Sequence, residues 1–149
     1  MTDKKIPNPY VILNKVKELL EEKKIECKVK IGFVDGDLIS GLMENMIVIS
    51  PVGDYLESQG LSPASQVDNP EFSYNVHLLL KSDAGDKAIN KFFDMREEII
   101  KILYSQELVS LGTKIMSQSI RTTFNNQISE SVMYDIWIAT FEVTAKIRK

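Results

Sequence analysis

Two stretches in the second half of the chain alternate between apolar and polar residues, and the segment between them follows a helical period. Over 72–81, Phe72, Tyr74, Val76, Leu78 and Leu80 fall on one side and Ser73, Asn75 and His77 on the other, the period-2 pattern of a half-buried strand. Over 134–147, Trp137, Ala139, Phe141, Val143, Ala145 and Ile147 alternate with Ile136, Ile138, Thr140, Glu142, Thr144 and Lys146, which predicts a strand longer than most. Residues 83–108 read as an amphipathic helix. Ile89, Phe92, Phe93, Arg96, Ile99, Ile100 and Leu103 share its inner face, while Lys87, Lys91, Asp94, Glu97, Glu98 and Lys101 lie largely on the other. This helix is expected to cover one face of a sheet.

The first half continues the same grammar. Asn8 followed by Pro9 is a helix start, a side-chain cap and then a proline whose missing N–H costs nothing at the first helical position. Ile12, Leu13, Val16, Leu19 and Leu20 then recur at helical spacing over 9–24. Cys27, Val29, Ile31 and Phe33 alternate with Lys28, Lys30 and Gly32 as a strand with one wet face, ended by a turn at Asp35-Gly36-Asp37. A short apolar run over 46–49 predicts another strand, closed by Ser50-Pro51. Residues 52–71 contain Gly53, Gly60, Pro63 and Pro70 with no usable period, and so read as a long, flexible loop. Loops of that length usually bind something, close over something, or order on assembly. After Gly112, partial alternation through Ile115, Ile120, Thr122 and Phe124 predicts a strand, and the polar connection 125–131 makes it an antiparallel hairpin with the last strand. The expected fold class is α+β: a mainly antiparallel sheet of about four to five strands flanked by two helices.

Length and composition narrow the function classes. A chain of 149 residues, 44% hydrophobic and 26% charged, suits one domain over 1–149 with a core of its own. A formal net charge of −3 argues against a dedicated nucleic-acid surface, since phosphate binding needs a concentrated excess of Lys and Arg. With one cysteine, Cys27, an intramolecular disulfide is impossible, and there is no Cys and His cluster for a structural zinc. Synthesis in a reducing cytoplasm is the expectation. Residues 1–7 lack the apolar core of a signal peptide, and no run approaches the roughly 20 apolar residues of a membrane span, so neither secretion by that route nor membrane integration is expected.

Each candidate for chemistry has a plainer reading beside it. His77, the single histidine, sits mid-strand opposite the aromatic residues and lacks the partners of a proton carrier; it reads as a solvent or interface histidine. Cys27 lies at the start of a strand with no sequence signature for an activating base and reads as a small buried apolar residue. Asp35, Asp37 and Glu44 lack the ligand spacing of a calcium loop, and Gly32, Gly36 and Gly41 form no phosphate or dinucleotide fingerprint. Lys28, Lys30, Lys146, Arg148 and Lys149 could touch phosphate, but such charges more often keep exposed edge strands soluble. Glu97 and Glu98 lack the Glu-x-x-His pairing of a di-metal bundle and belong to a solvated helix face. Trp137 could anchor a partner, yet its alternation with Phe141 and Val143 favours the core. No catalytic, cofactor-binding or metal-binding residue is assigned.

The order of elements, taken over nearly the whole chain, resembles the tail terminator (tail completion) proteins of tailed bacteriophages and related particles. The resemblance rests on the leading helix 9–24, the strand 46–51 with its long following segment, the strand 72–81, the Asp-containing turn into the helix 89–104, and the paired segments 115–124 and 134–147. It implies a non-enzymatic virion protein that forms a ring, usually of six copies, on the last ring of the tail tube. Such a ring stops tube polymerisation and offers the surface that joins tail to head. The partners implied are further copies of itself, the tail tube protein, head-tail connector or neck proteins, and the tail sheath in a contractile tail. No membrane and no cofactor is implied, and the location is the head-proximal end of the virion tail, assembled in the bacterial host cytoplasm. Loop length places the candidate protein interface in 52–71 and 125–131, at Asp54, Tyr55, Leu56, Gln59, Gln66, Asn125, Asn126 and Gln127. The alternatives are another connector or neck protein of the same particle and, from a different class, a host module that binds a small ligand or regulates.

Overall fold

The alternating stretches fold as strands of one mixed, mostly antiparallel five-stranded sheet, and the helical stretches as α-helices, giving an α+β fold. The computed structural model describes residues 10–23, 27–42, 44–58, 67–82, 85–105, 108, 114–127 and 135–148. In chain order the elements are α1 (Tyr10–Glu22), β1 (Lys28–Ile31), α2 (Gly36–Ser40), β2 (Met46–Ser58), β3 (Val67–Ser82), α3 (Gly85–Leu103), β4 (Lys114–Gln127) and β5 (Asp135–Arg148). Across the sheet the strands lie in the order β1-β2-β3-β5-β4, with β1 parallel to β2 and the remaining neighbours antiparallel.

Helix α1 forms where the 3.6-residue period is cleanest. Ile12, Leu13, Val16, Leu19 and Leu20 are buried, and the outer face carries Lys15–Glu18 and Lys17–Glu21 pairs at 3.4 and 3.7 Å, each worth a few tenths of a kcal/mol. The cap expected at Asn8 and Pro9 lies outside the described residues. Helix α3 is shorter than its expected span and rotated relative to the expected face. Phe92, Ile99, Ile102 and Leu103 are buried, whereas Ile89, Phe93 and Arg96 are exposed. Spacing alone groups Arg96 with the apolar residues, and a charged group stays in water when its neighbours do not demand burial.

Three expectations are corrected. The turn expected at Asp35-Gly36-Asp37 starts a third helix, α2: the Asp35 carboxylate accepts a hydrogen bond from the Leu38 N–H at 2.7 Å as its N-cap. The loop expected over 52–71 is mostly sheet, because β2 continues through Ser50 and Pro51 to Ser58 and β3 begins at Val67, with Asp54 opposite Phe72 and Glu57 opposite Asp68. The proline is tolerated at a register shift between Pro51 and Gly53, where the ladder is already broken. Likewise the polar segment 125–127 continues β4 to Gln127 as strand, leaving 128–131 outside the described residues.

The sheet has two unlike faces. On one, α1 and α3 cover a core that includes Ile47, Ile49, Tyr74, Val76, Leu78, Phe141 and Val143. Phe92 of α3 lies 4.8 Å from Phe124 and 6.3 Å from Phe141, and Trp137, half-buried, stacks on Phe124 at 5.4 Å. On the other face α2 and its flanks cover one end only, where Val34, Leu38, Ile39 and Met46 pack around Leu42, Val48, Leu79, Ile136 and Ile138.

Candidate assembly surface

Chain direction fixes what the rim of this sheet can do. β2 and β5 run one way, β3 and β4 the other. β4 is the outermost strand, 14 residues long, and its outer side pairs with no strand among the described residues. Natural edge strands of that length are usually blunted by lysines, prolines or bulges. Beyond Lys114 at its start and one register shift between Ile115 and Ser117, β4 carries only Arg121 as a charge and no proline.

The opposite rim is half closed. β1 pairs with β2 only from Met46 to Ile49, and the contact ends with the Gly32 N–H donating to the Ile49 carbonyl at 2.9 Å and the buried Ser50 hydroxyl donating to the Gly32 carbonyl at 2.6 Å. From 52 to 58, β2 pairs only with β3 among the described residues. Beside this second open edge stand Phe33, Val52 and Tyr55, 65%, 62% and 58% exposed. Among the described residues they are three of eight exposed large apolar side chains, and the three most exposed include Phe33 and Val52, beside unpaired backbone. Near β4 the exposed residue is Phe93, whose ring lies 5.1 Å from Phe92, itself against Phe124.

Between the rims the face opposite α1 and α3 is a polar lattice. Ser73 and Thr144 share a hydrogen bond of 3.1 Å, His77 Nδ1 and Thr140 Oγ1 one of 2.9 Å, and Glu71 pairs with Lys146 at 3.6 Å. Lys146 therefore sits on an interior strand against a carboxylate, not on an edge as its sequence position suggested, whereas Lys28 and Lys30 do lie on the edge strand β1. Burial lowers the pKa of His77 and so favours its neutral ring. The hydroxyl of Thr140 orients that ring without bringing a second titrating group to it. Cys27, half-buried, packs against the main core. Among the described residues no three His, Cys, Asp or Glu side chains gather to hold a metal ion, and no helix is long and apolar enough to cross a membrane.

The interface residues expected from loop length fall at different places. Asp54 and Tyr55 are exposed on β2, and Leu56 follows them in the same strand. Asn125, Asn126 and Gln127 lie on β4 opposite Ile138, Trp137 and Ile136, while Gln59 and Gln66 are outside the described residues. Through the registers Asp54 lies in the row of Phe72 and Ala145, and Asn125 in that of Ile138. The two groups are thus at diagonal corners of the sheet, about 20 Å apart along the strands and three strands apart across them. One copy cannot unite them in a single patch. Sequence reasoning missed Phe33, Val52 and the whole outer side of β4, whose outermost place follows from strand order and from no local pattern.

Compared with protein-family models and with curated proteins, the chain matches none.

Proposed function

We propose that this protein is a tail terminator of a tailed bacteriophage or phage-like particle, a non-enzymatic subunit that assembles as a ring on the end of the tail tube. The ring ends tube polymerisation and presents the surface that meets the head. The observation that supports this reading best is a single sheet that, among the described residues, is open at both rims, one along the 14 residues of β4 and the other beyond the reach of β1. A subunit with two different open sides makes heterologous contacts, and heterologous contacts that close by rotation make rings. Its partners are then copies of itself, the tube protein and the connector or neck proteins, with the sheath added in a contractile tail. Its place is the head-proximal end of the virion tail.

The decisive experiment deletes the gene from the particle that encodes it and images the products. Overlong, headless tails are expected. Headless tails of normal length would assign the protein to another step of head-tail joining, and intact particles would remove it from assembly altogether.

A further inference from the structure

Building on the ring reading, we infer that neighbouring copies join by strand addition: the outer side of β4, unpaired among the described residues, pairs antiparallel in one copy with the 52–58 segment of β2 in the next, making one sheet continuous through the assembly.

Chain direction carries the first step. Within one copy the strands from β2 through β3 and β5 to β4 alternate strictly, so the outermost β4 runs against β2. A second copy placed beside β4 in the same orientation presents its β2 antiparallel to it, and the alternation passes across the boundary unbroken. The second step is mutual need. Each edge carries a row of backbone N–H and C=O groups suited to accept a strand, and the two edges belong to opposite sides of the molecule.

Side chains choose this pairing over the obvious alternative, β4 against β4 about a two-fold axis. That arrangement stops at two copies and leaves Phe33, Val52 and Tyr55 in water, whereas strand addition at β2 places the neighbour's β4 beside them. β1 limits the docking: because it occupies β2 from Met46 to Ile49, the neighbouring β4 sits displaced toward Ser58. A stagger of this kind tilts the strands when a sheet closes on itself, as closed barrels require.

The test uses disulfide trapping on the full chain in a Cys27→Ala background. Tyr55→Cys is combined in turn with Ser119→Cys, Arg121→Cys or Thr123→Cys; all four positions are exposed, and the register puts them on the same face of the sheet. Within one copy β2 and β4 are three strand spacings apart, about 14 Å, too far for a disulfide, so any bond formed joins two molecules. On oxidation at least one double variant gives a ladder of covalent species well beyond the dimer on a denaturing gel, and light scattering shows wild type as a closed oligomer. Ladders that stop at the dimer in all three double variants overturn the proposal. So does efficient dimer formation by a β4 single-cysteine variant, which is the signature of β4 against β4, and so does a wild type that stays monomeric at high concentration. Rings that form without any of these crosslinks sink the strand pairing and leave the terminator reading standing. Normal-length tails in the gene deletion, with the ladder present, do the reverse.

Discussion

The two faces of this sheet are built from the same strands and behave as different materials. Toward α1 and α3, Tyr74, Val76, Leu78, Phe141 and Val143 are buried in an apolar layer; one residue along, Ser73, Asn75, His77, Thr140 and Thr144 are half-buried in a hydrogen-bonded polar layer. Because side chains alternate across a strand, each strand contributes to both layers at once. The difference separates tasks. Stability is concentrated on the helical face, which leaves the two rims and the part of the other face beyond the α2 cluster with little packing role.

The sharpest way to break that comparison is a pair of neighbouring substitutions in β5. Phe141 is fully buried and packs against Phe92, so Phe141→Ala is expected to cost about 3–5 kcal/mol through lost burial and a residual cavity. Thr140→Ala, on the other layer, removes the hydroxyl that meets His77 together with one half-buried methyl group and is expected to cost about 1 kcal/mol. Urea denaturation of both variants decides it, and similar losses would mean that the polar face is packed as tightly as the core. The small apolar cluster under α2 is the intermediate case. Leu79→Ala is expected to cost about 2–3 kcal/mol, toward the low end for a buried leucine because the cluster is small and shallow enough to relax. A larger loss than that of Phe141→Ala in the same denaturation series would reverse the ranking of the faces. Removing the cap of α2 probes the same region more gently. Asp35→Ala leaves the Leu38 N–H without its acceptor and is expected to cost about 1 kcal/mol; Asp35→Asn, which keeps an acceptor, is expected to recover most of it.

Those layers were legible in the sequence wherever periodicity had a clean partner to report. The alternation of Phe72 to Leu80 and of Trp137 to Ala145 named the helical face residue by residue, and the 3.6-residue repeat named the buried face of α1. Legibility failed where local propensity and tertiary pairing disagreed. Pro51, Gly53 and Pro70 read as punctuation, yet a register shift beside Pro51 lets β2 go on, and the long ladder to β3 outweighs the poor propensity of those positions. Asp35-Gly36-Asp37 read as a turn because a five-residue helix shows too little of its period, and only the capping geometry reveals it. The rims were hidden for another reason. Whether a strand is central or outermost is a property of strand order, which no local pattern contains, so the bare side of β4 and the exposure of Phe33 and Val52 emerge only once the sheet is assembled.

The smallest expected effect lies in the polar layer itself and concerns protons. His77 is half-buried between Val48 and Thr140 in the rows of the sheet, and that burial lowers its pKa in the native state. The unfolded chain therefore takes up the proton at a higher pH than the native chain does, so the contribution of His77 to stability is complete above its ordinary pKa, near about 6.5. It declines as the pH falls through the interval down to the lowered native value, and below that it changes no further. His77→Gln has no such proton, and the variant is expected to lack this part of the slope while other groups titrate alike in both proteins. The check is the difference between urea midpoints of wild type and His77→Gln across mildly acidic pH. Parallel curves would mean that the polar face is wet enough to protonate His77 freely, and the contrast between the layers would then be one of packing alone, without a difference in polarity felt by a charge.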